Sequence, residues 1–191
     1  MLSQIRAGVL SKIEHVLPLD EMRPAAVLCL FLGETNALSI LLTKRSQQLN
    51  EHAGQMSFPG GKLDSKYENI VDAALREANE EIGLSSPEVE ILGFLSPVVT
   101  STYFYIFPVV GYLAKTPLLA MRHLKVNPEE VEEIIINPLH LYLDPNFYQI
   151  AEYDTKNGKK NFWEIKNTNP LVWGATAAIL KQLTQILPTK I

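Results

Sequence analysis

The sequence predicts an α/β fold in which helices pack on a mixed β-sheet. Short apolar runs bounded by glycine or proline occur along the chain, and they have the length of buried strands. Longer segments instead show the periodicity of amphipathic helices. A chain of 191 residues also suits one compact domain with a sizeable core. We therefore expect one domain over residues 1–191, in which residues 1–24 form an N-terminal helical extension.

The first two strands follow from apolar runs. Ala25–Leu32 lies between Pro24 and Gly33 and is short enough for a buried strand. Ala37–Thr43 is predicted as a second strand. Residues 34–36 are predicted to join the two strands by a tight connection.

A loop and a helix come next. Ser46–Gly61 is polar and then punctuated by glycine and proline, which predicts a loop. An unstructured loop of this length is uncommon in a compact domain and is more often functional. Asn69–Ile82 has apolar residues at helical spacing, and Gly83 suits the left-handed conformation that ends a helix.

The second half of the chain continues the alternation. Further strands are predicted at Val89–Leu95, Ile106–Leu113 and Val131–Ile136, and a short helix at Pro138–Leu143. Phe147–Tyr153 and Asn161–Ile165 flank Asn157-Gly158, the strongest short hairpin signal in the sequence. Val172–Leu187 is predicted to form an amphipathic helix before a proline.

Composition restricts the partners and the location. The net charge of −4 argues against a nucleic-acid partner, because phosphate backbones require a basic face. No apolar run reaches the ~18 residues that span a membrane, and Met1–Leu17 is interpreted as an amphipathic surface helix rather than a targeting segment. Cys29 is the only cysteine, which excludes an intramolecular disulfide and fits the cytoplasm. We expect a small-molecule partner, and either a monomer or a homodimer.

The helix predicted at residues 69–82 has an unusual cluster of carboxylates. Glu77, Glu80 and Glu81 stand at positions i, i+3 and i+4, so their side chains converge beside the apolar face. Like charges at these spacings repel one another. Carboxylate oxygens are the ligands that hard divalent cations such as Mg²⁺ prefer. The pattern therefore predicts a metal site.

The alternative interpretation is a solvated acidic face whose carboxylates pair with lysines. No lysine lies four residues from any of the three glutamates, which disfavours that pairing. Gly60-Gly61 also precedes the helix, and glycines let a backbone approach a ligand closely. A carbonyl group from such a loop can join the carboxylates as a metal ligand.

From Gly61 to Leu84 the chain resembles the Nudix box, the signature of hydrolases that cleave a nucleoside diphosphate linked to another group. The matching residues are Gly61, Glu68, Arg76, Glu77, Ala78, Glu80, Glu81, Gly83 and Leu84. One spacing departs from the signature, because six residues rather than five separate Gly61 from Glu68, and Tyr67 takes the usual glutamate position. The extra residue falls in the loop before the helix. The resemblance implies an α/β/α sandwich with a central mixed sheet.

The resemblance also implies roles in the metal-assisted hydrolysis of a pyrophosphate bond. The implied ligands of Mg²⁺ or Mn²⁺ are Glu77, Glu80, Glu81 and the carbonyl oxygen of Gly61. Arg76 would orient Glu77 or Glu81. The general base would be Glu77 or Glu130, which lies in an acidic stretch far beyond the box, although such a stretch is more often a solvated turn or strand edge. Glu68 is a further catalytic candidate.

The segment before the box resembles the coenzyme A pyrophosphatase branch of this family. The match runs from Leu41 to the Phe58-Pro59-Gly60-Gly61 run. The implied substrate-binding residues are Arg45, Asn50, His52, Gln55, Phe58 and Gly60. Asn50 stands where the branch has a second arginine, and it offers only neutral hydrogen bonds to a phosphate. With coenzyme A as substrate, the implied products are 3′,5′-ADP and 4′-phosphopantetheine.

Several points stay open at the level of sequence. Lys44 and Arg45 alternate along a strand, so only one is expected to face the site, and the motif favours Arg45. The aromatic residues at positions 103–107 could stack an adenine, although strand aromatics usually belong to the core. Trp163 and Trp173 are interpreted as residues that pack in the protein interior. The alternatives to coenzyme A hydrolysis are hydrolysis of another dinucleotide, such as ADP-ribose or NADH, and a non-catalytic ligand-binding module.

Overall fold

The structure, a computed structural model, describes residues 1–13, 22–49, 52–64, 69–155, 158–166 and 168–187. The strands of its central sheet are β1 (Arg23–Glu34), β2 (Ala37–Arg45), β3 (Met56–Ser57), β4 (Gly60–Lys62), β5 (Glu90–Phe94), β6 (Val98–Val99), β7 (Phe104–Leu113) and β8 (Val131–Pro138). A second sheet contains β9 (Tyr148–Thr155), β10 (Gly158–Ile165) and β11 (Val172–Trp173). The helices are α1 (Leu2–Gly8), α2 (Ile70–Ile82), α3 (Pro117–His123) and α4 (Gly174–Ile186).

The central sheet is mixed, as predicted, and β1 organises it. This strand pairs parallel with β7 along all but its last two residues, from Arg23 opposite Phe104 to Leu32 opposite Leu113. On its other side it pairs antiparallel with β2 near its end and with β4 near its start. Strand β8 extends the sheet beyond β2. The predicted strands are confirmed, with ends that differ by a few residues.

The segment predicted as a loop at residues 46–61 also contains strands. Met56 and Ser57 pair with β2, and Gly60 and Gly61 begin β4 against Val27 and Ala26 of β1. These pairings are short and depend on partners distant in the chain, so no local sequence periodicity predicts them. As a result, the glycines before α2 are held on the sheet rather than in a free loop.

Helix α2 forms where the apolar spacing predicts it. The Asn69 side chain accepts a hydrogen bond of 2.8 Å from the Val71 N–H and caps the start of the helix. Gly83 ends it in the left-handed conformation, with φ of 65°. Ala74 and Ala78 are fully buried, and their small side chains allow the helix to lie close to β1. The carboxylates on α2 are therefore carried by a well-anchored helix.

The two faces of the central sheet have separate cores. Leu28, Leu30 and Leu32 pack on one face with α2. Cys29 and Phe31 alternate with them and pack on the opposite face, in the cluster that includes residues of α1 and α4. This arrangement is the expected α/β sandwich.

The C-terminal part of the chain departs from the prediction in detail. The helix predicted at Val172–Leu187 begins two residues later, because Val172 and Trp173 form β11 and pair with β10. The predicted hairpin is present as β9 and β10, although Asn157 lies outside the described residues. Leu139–Tyr142 forms a 3₁₀ helix in place of the short helix predicted at Pro138–Leu143.

The prediction for the N-terminal segment is wrong in extent. Helix α1 ends at Gly8, and Leu10 instead forms a β-bridge with Phe94 of β5. The Arg6 guanidinium binds both carboxylate oxygens of Glu90, at 2.6 and 2.8 Å. The segment is thus docked on the domain through β5. None of the helices in the described ranges is long and apolar enough to cross a bilayer.

Candidate active site

A cavity of about 1000 Å³ opens on the face of the central sheet that the second sheet overlies. Residues from both sheets and from the first turn of α4 line it. Carboxylates stand at one part of its wall, and apolar and aromatic side chains form much of the rest. A cavity of this size accommodates a ligand as large as a dinucleotide.

The carboxylates of Glu77, Glu81 and Glu130 converge in this cavity. Each offers an oxygen atom, and these atoms lie within 4.8 Å of one another. Glu77 and Glu81 occupy successive turns of α2, whereas Glu130 precedes β8. The structure therefore brings together residues that are about fifty positions apart in the chain.

Backbone hydrogen bonds between the end of α2 and the loop after α3 explain the position of Glu130. The Asn127 N–H donates to the Glu81 carbonyl oxygen at 2.8 Å, and the Lys125 N–H donates to that of Ile82 at 2.9 Å. The Asn127 side-chain amide then donates to Glu130 at 3.3 Å. The loop is thus fixed to the end of the helix that carries the other two carboxylates.

Burial gives Glu81 unusual electrostatics. Its side chain is 3% exposed, and its Oε2 atom has no hydrogen-bond partner among the residues that the structure describes. Burial raises the pKa of Glu81 to about 8, and the nearby Glu130 and Glu77 carboxylates act in the same direction. The Arg45 charge and a hydrogen bond with the Gly60 backbone oppose the rise. Burial also raises the pKa of Glu77, against the effect of Arg76.

Arg76 holds the edge of the cluster in place. Its guanidinium donates to Glu77 at 2.9 Å and to the Lys62 carbonyl oxygen at 3.1 Å, which ties α2 to β4. It also approaches Glu80 at 3.4 Å. The Glu80 side chain is 50% exposed and does not belong to the group formed by the other three carboxylates.

The two glycines of β4 leave space that no other residue would leave. A Cβ atom on Gly61 would overlap the Glu77 carboxylate, with 2.6 Å to Oε1. Gly60 has a φ of 153°, and a Cβ atom there would lie 2.6 Å from the Cα of Val27. The backbone of β4 is therefore able to lie directly against α2.

These features fit a hard divalent cation. Three carboxylates supply oxygen ligands from two elements, and an unpartnered buried oxygen of Glu81 is available among them. Without a cation, three ionised carboxylates would repel one another at short range, which is one reason why the pKa of Glu81 is raised. The donor set contains no sulfur or imidazole, which suits Mg²⁺-like ions better than soft metals.

Arg45 lies on the cavity wall near this cluster, whereas Lys44 does not. The Lys44 ammonium group binds Glu132 at 2.6 Å. An irregularity in the pairing of β2 with β8 falls between Lys44 and Arg45. The Nε atom of Arg45 is buried and has no hydrogen-bond partner within the described part of the chain, so its N–H group is available to a ligand.

The other predicted substrate-binding residues have different positions. His52 and Gln55 line the cavity and are linked by a hydrogen bond of 3.0 Å, and Gly60 lines it as well. Phe58 is 2% exposed and packs in the core, so it supports the site rather than facing the cavity. Asn50 and Glu68, the remaining predictions, lie outside the described residues.

The cavity has an aromatic wall, of which the sequence interpretation named only Phe104 as a possible stacking residue, whereas it assigned Trp163 and Trp173 to packing. Phe104, Tyr153, Phe162, Trp163 and Trp173 all line the cavity. Edge contacts join Phe162 to Tyr153 and to Trp173, with ring centroids 5.7 and 5.2 Å apart. The alternation of side chains along β10 does not indicate which face of the strand a ligand would contact, because this depends on how the second sheet packs against the rest of the protein. Tyr105 and Phe107, by contrast, are buried in the protein as expected for strand aromatics.

Comparison with known proteins identifies the family. The sequence model of the NUDIX domain matches residues 22–153. A Nudix hydrolase named NudL from Photorhabdus laumondii, described as uncharacterized, is 36% identical over 166 residues, which cover 87% of this chain and 86% of that protein. Nudix hydrolase 22, chloroplastic, from Arabidopsis thaliana is 34% identical over 162 residues, which cover 83% of this chain and 53% of that protein.

Solved structures support the same fold. The Nudix hydrolase RenU from M. Smegmatis has a TM-score of 0.56 and 17% identity, and the match covers 88% of this chain and 89% of that one. A C. elegans Ap4A hydrolase binary complex has a TM-score of 0.50 and 18% identity, and it covers 61% of this chain and 80% of that one. The fold, the carboxylate cluster on α2 and the sequence relatives agree that this chain belongs to the Nudix family and is a hydrolase of pyrophosphate bonds in nucleotide derivatives.

Proposed function

We propose that the protein hydrolyses the pyrophosphate bond of coenzyme A or its derivatives, giving 3′,5′-ADP and 4′-phosphopantetheine. The observation that supports this substrate most is the combined character of the cavity. The cavity contains Arg45, which suits a diphosphate directly, and Glu77 and Glu81, which suit the cation that would accompany it, together with an extended aromatic and apolar wall. Coenzyme A joins a diphosphate to a nucleotide on one side and a long, largely uncharged arm on the other, so it matches both parts.

Glu77, Glu81 and Glu130 would hold Mg²⁺ or Mn²⁺, with the Gly61 carbonyl oxygen as a further ligand. Glu80 would be a peripheral carboxylate, since it lies at the exposed edge beside Arg76. A divalent cation bound there supplies charge neutralisation of the diphosphate and a lowered pKa for an attacking water.

The remaining chemistry would come from the side chains of the protein. Arg76 fixes the Glu77 carboxylate through its 2.9 Å hydrogen bond and so sets the geometry of the cluster. Glu130 approaches from a separate element, and we assign to it the removal of a proton from the attacking water. The free N–H group of Arg45 would donate to a phosphate oxygen and stabilise the charge that develops there.

The test is a substrate panel assayed with purified protein. Coenzyme A, an acyl-coenzyme A, ADP-ribose and NADH are each incubated with Mg²⁺ or Mn²⁺, and products are identified by mass. We expect 3′,5′-ADP and 4′-phosphopantetheine as products, formed at the highest kcat/KM from coenzyme A or its thioester. Turnover of ADP-ribose or NADH alone would contradict the substrate assignment.

Asn50 provides the reason to keep ADP-ribose and NADH as the second candidates. It replaces an arginine of the coenzyme A branch, and a neutral amide holds a phosphate less strongly than a guanidinium does. An Asn50→Arg variant would lower KM for coenzyme A if this position contacts a phosphate.

A cytoplasmic location is also part of the proposal, supported by the single cysteine, Cys29, which is buried and unpaired.

A further inference from the structure

A second charged feature lies at the edge of the cavity, on the turn that connects β6 to β7. The Arg23 guanidinium donates to the Thr102 carbonyl oxygen at 2.6 Å. The Lys160 ammonium group, from β10 of the second sheet, donates to the Ser101 carbonyl oxygen at 3.0 Å. Two cations from different sheets thus meet at adjacent residues of one turn, and this turn lines the cavity.

Lys62 completes the group from a third direction. Its Nζ atom lies 5.9 Å from the ring centroid of Phe104, and the Cζ atom of Arg23 lies 4.1 Å from the same centroid. The register of the sheet explains this proximity, since Arg23 is opposite Phe104 and Lys62 is opposite Ala25, two residues further along β1. The side chains of Arg23, Lys62 and Phe104 therefore lie on one face of the central sheet.

These cations lack the partners that surface lysines and arginines commonly have. Within the described ranges, Arg23, Lys62 and Lys160 form no ion pair with a carboxylate. Lys159, the neighbour of Lys160 on β10, does bind a carboxylate, that of Glu152 at 3.0 Å. A protein with a net charge of −4 thus places three cations without an ion-pair partner in the described ranges beside a turn that lines its cavity.

We propose that Arg23, Lys62 and Lys160, the cationic rim, bind a phosphate group that the substrate carries on its ribose, outside the diphosphate. Phe104 lines the cavity, and Arg23 and Lys62 lie beside its ring, so a nucleotide bound next to this ring would bring a ribose phosphate near the cations. Arg23 keeps further N–H donors after binding Thr102, because a guanidinium has five. The rim would thereby distinguish nucleotides with a ribose phosphate from those without one. This inference rests on the proposed function, which supplies coenzyme A as such a nucleotide.

The first experiment measures binding without metal or turnover. Isothermal titration calorimetry in EDTA compares 3′,5′-ADP with 5′-AMP, which lacks the second phosphate. The wild-type protein, a Lys62→Gln/Lys160→Gln variant and the matched control Lys159→Gln are used, after thermal unfolding shows that all are folded. We expect the double variant to bind 3′,5′-ADP about tenfold more weakly and 5′-AMP unchanged, while the control retains the wild-type difference.

The second experiment uses turnover of coenzyme A and 3′-dephospho-coenzyme A. The double variant should raise KM for coenzyme A, leave its kcat unchanged and leave both constants for the dephospho form unchanged. An equal loss for both substrates, or for both nucleotides in calorimetry, would overturn the proposal, because the rim would then act on a group that they share. If neither substrate is hydrolysed but the calorimetric difference depends on the lysines, the proposed function fails while the rim stands.

Discussion

At the scale of single residues, two buried atoms lack partners among the described side chains, Arg45 Nε and Glu81 Oε2. Buried polar atoms without hydrogen bonds are rare in folded proteins, and each costs free energy of folding. Both atoms lie in residues that line the same cavity. This shared position supports the proposal that the metal ion and the substrate supply the missing partners.

The first prediction concerns the stability of the metal-free protein. Glu81→Gln keeps the shape of the side chain but removes a charge that is buried beside two other carboxylates. We expect the variant to melt about 3 °C or more above the wild type in EDTA at pH 8, corresponding to about 1 kcal/mol for a protein of this size. Differential scanning calorimetry measures this, and a lower melting temperature in EDTA would contradict it.

The same substitution should change the pH dependence of stability. The pKa of Glu81 is raised in the folded state to about 8 from an ordinary value of 4.5. Between these two pH values the folded metal-free protein holds a proton that the unfolded chain has lost, so the free energy of unfolding falls as pH rises. The stability gain from Glu81→Gln should therefore be larger at pH 8 than at pH 5. A gain that is constant across this range would show that Glu81 does not titrate as described.

The second prediction separates the two neighbouring glutamates by activity. Glu81 belongs to the buried cluster, whereas Glu80 lies at its exposed edge with Arg76. Glu81→Gln should lower kcat by at least about a hundredfold, and Glu80→Gln should lower it much less while raising the Mg²⁺ concentration needed for half-maximal rate. Equal losses from the two substitutions would assign Glu80 to the same ligand set.

The third prediction tests the close approach of β4 to α2. Gly61→Ala would drive a methyl group into the Glu77 carboxylate, so Glu77 must move away from the cluster. We expect a large loss of kcat and weaker binding of the metal ion. The melting temperature, measured by calorimetry, should also fall. Gly158→Ala is the control for a glycine-to-alanine substitution away from the site, because a Cβ atom there would meet nothing within 4 Å. Its φ of 108° adds local backbone strain, but no steric contact with the cluster.

At the scale of elements, the sequence predicts those whose causes are local. Helix α2 follows from its apolar spacing, its Asn69 cap and its terminal Gly83, and strands β1 and β7 follow from apolar runs. Strands β3 and β4 could not be predicted, because two or three residues have no periodicity of their own. The position of Glu130 was equally hidden, since it depends on hydrogen bonds between a distant loop and the end of α2.

The fourth prediction concerns the start of α2. Asn69→Ala removes the side-chain acceptor for the Val71 N–H, and the loss of such a cap typically costs about 1 kcal/mol. The melting temperature should fall by about 2–4 °C. Because the helix is also held by its buried alanines, kcat should change little, and restoration by Asn69→Asp would confirm the capping role. An unchanged melting temperature would mean that solvent replaces the cap without cost.

At the scale of the whole molecule, the two sheets contribute different parts of the cavity. The central sheet carries α2 and the carboxylates on a rigid base, and the second sheet supplies the aromatic wall. The sequence indicated the family and the catalytic helix because those residues are contiguous. It did not indicate the wall or the cationic rim, since both arise only when β9 and β10 are packed against the turn between β6 and β7.

One consequence of the aromatic wall is spectroscopic. The chain has two tryptophans, Trp163 and Trp173, and both line the cavity. The ammonium group of Lys181 lies 4.6 Å from the ring centroid of Trp163. The tryptophan fluorescence of the protein therefore originates entirely from the walls of its cavity, and a nucleotide that enters should change its intensity or emission maximum without any attached dye. Stopped-flow fluorescence would then time substrate arrival and product departure separately from the hydrolysis itself.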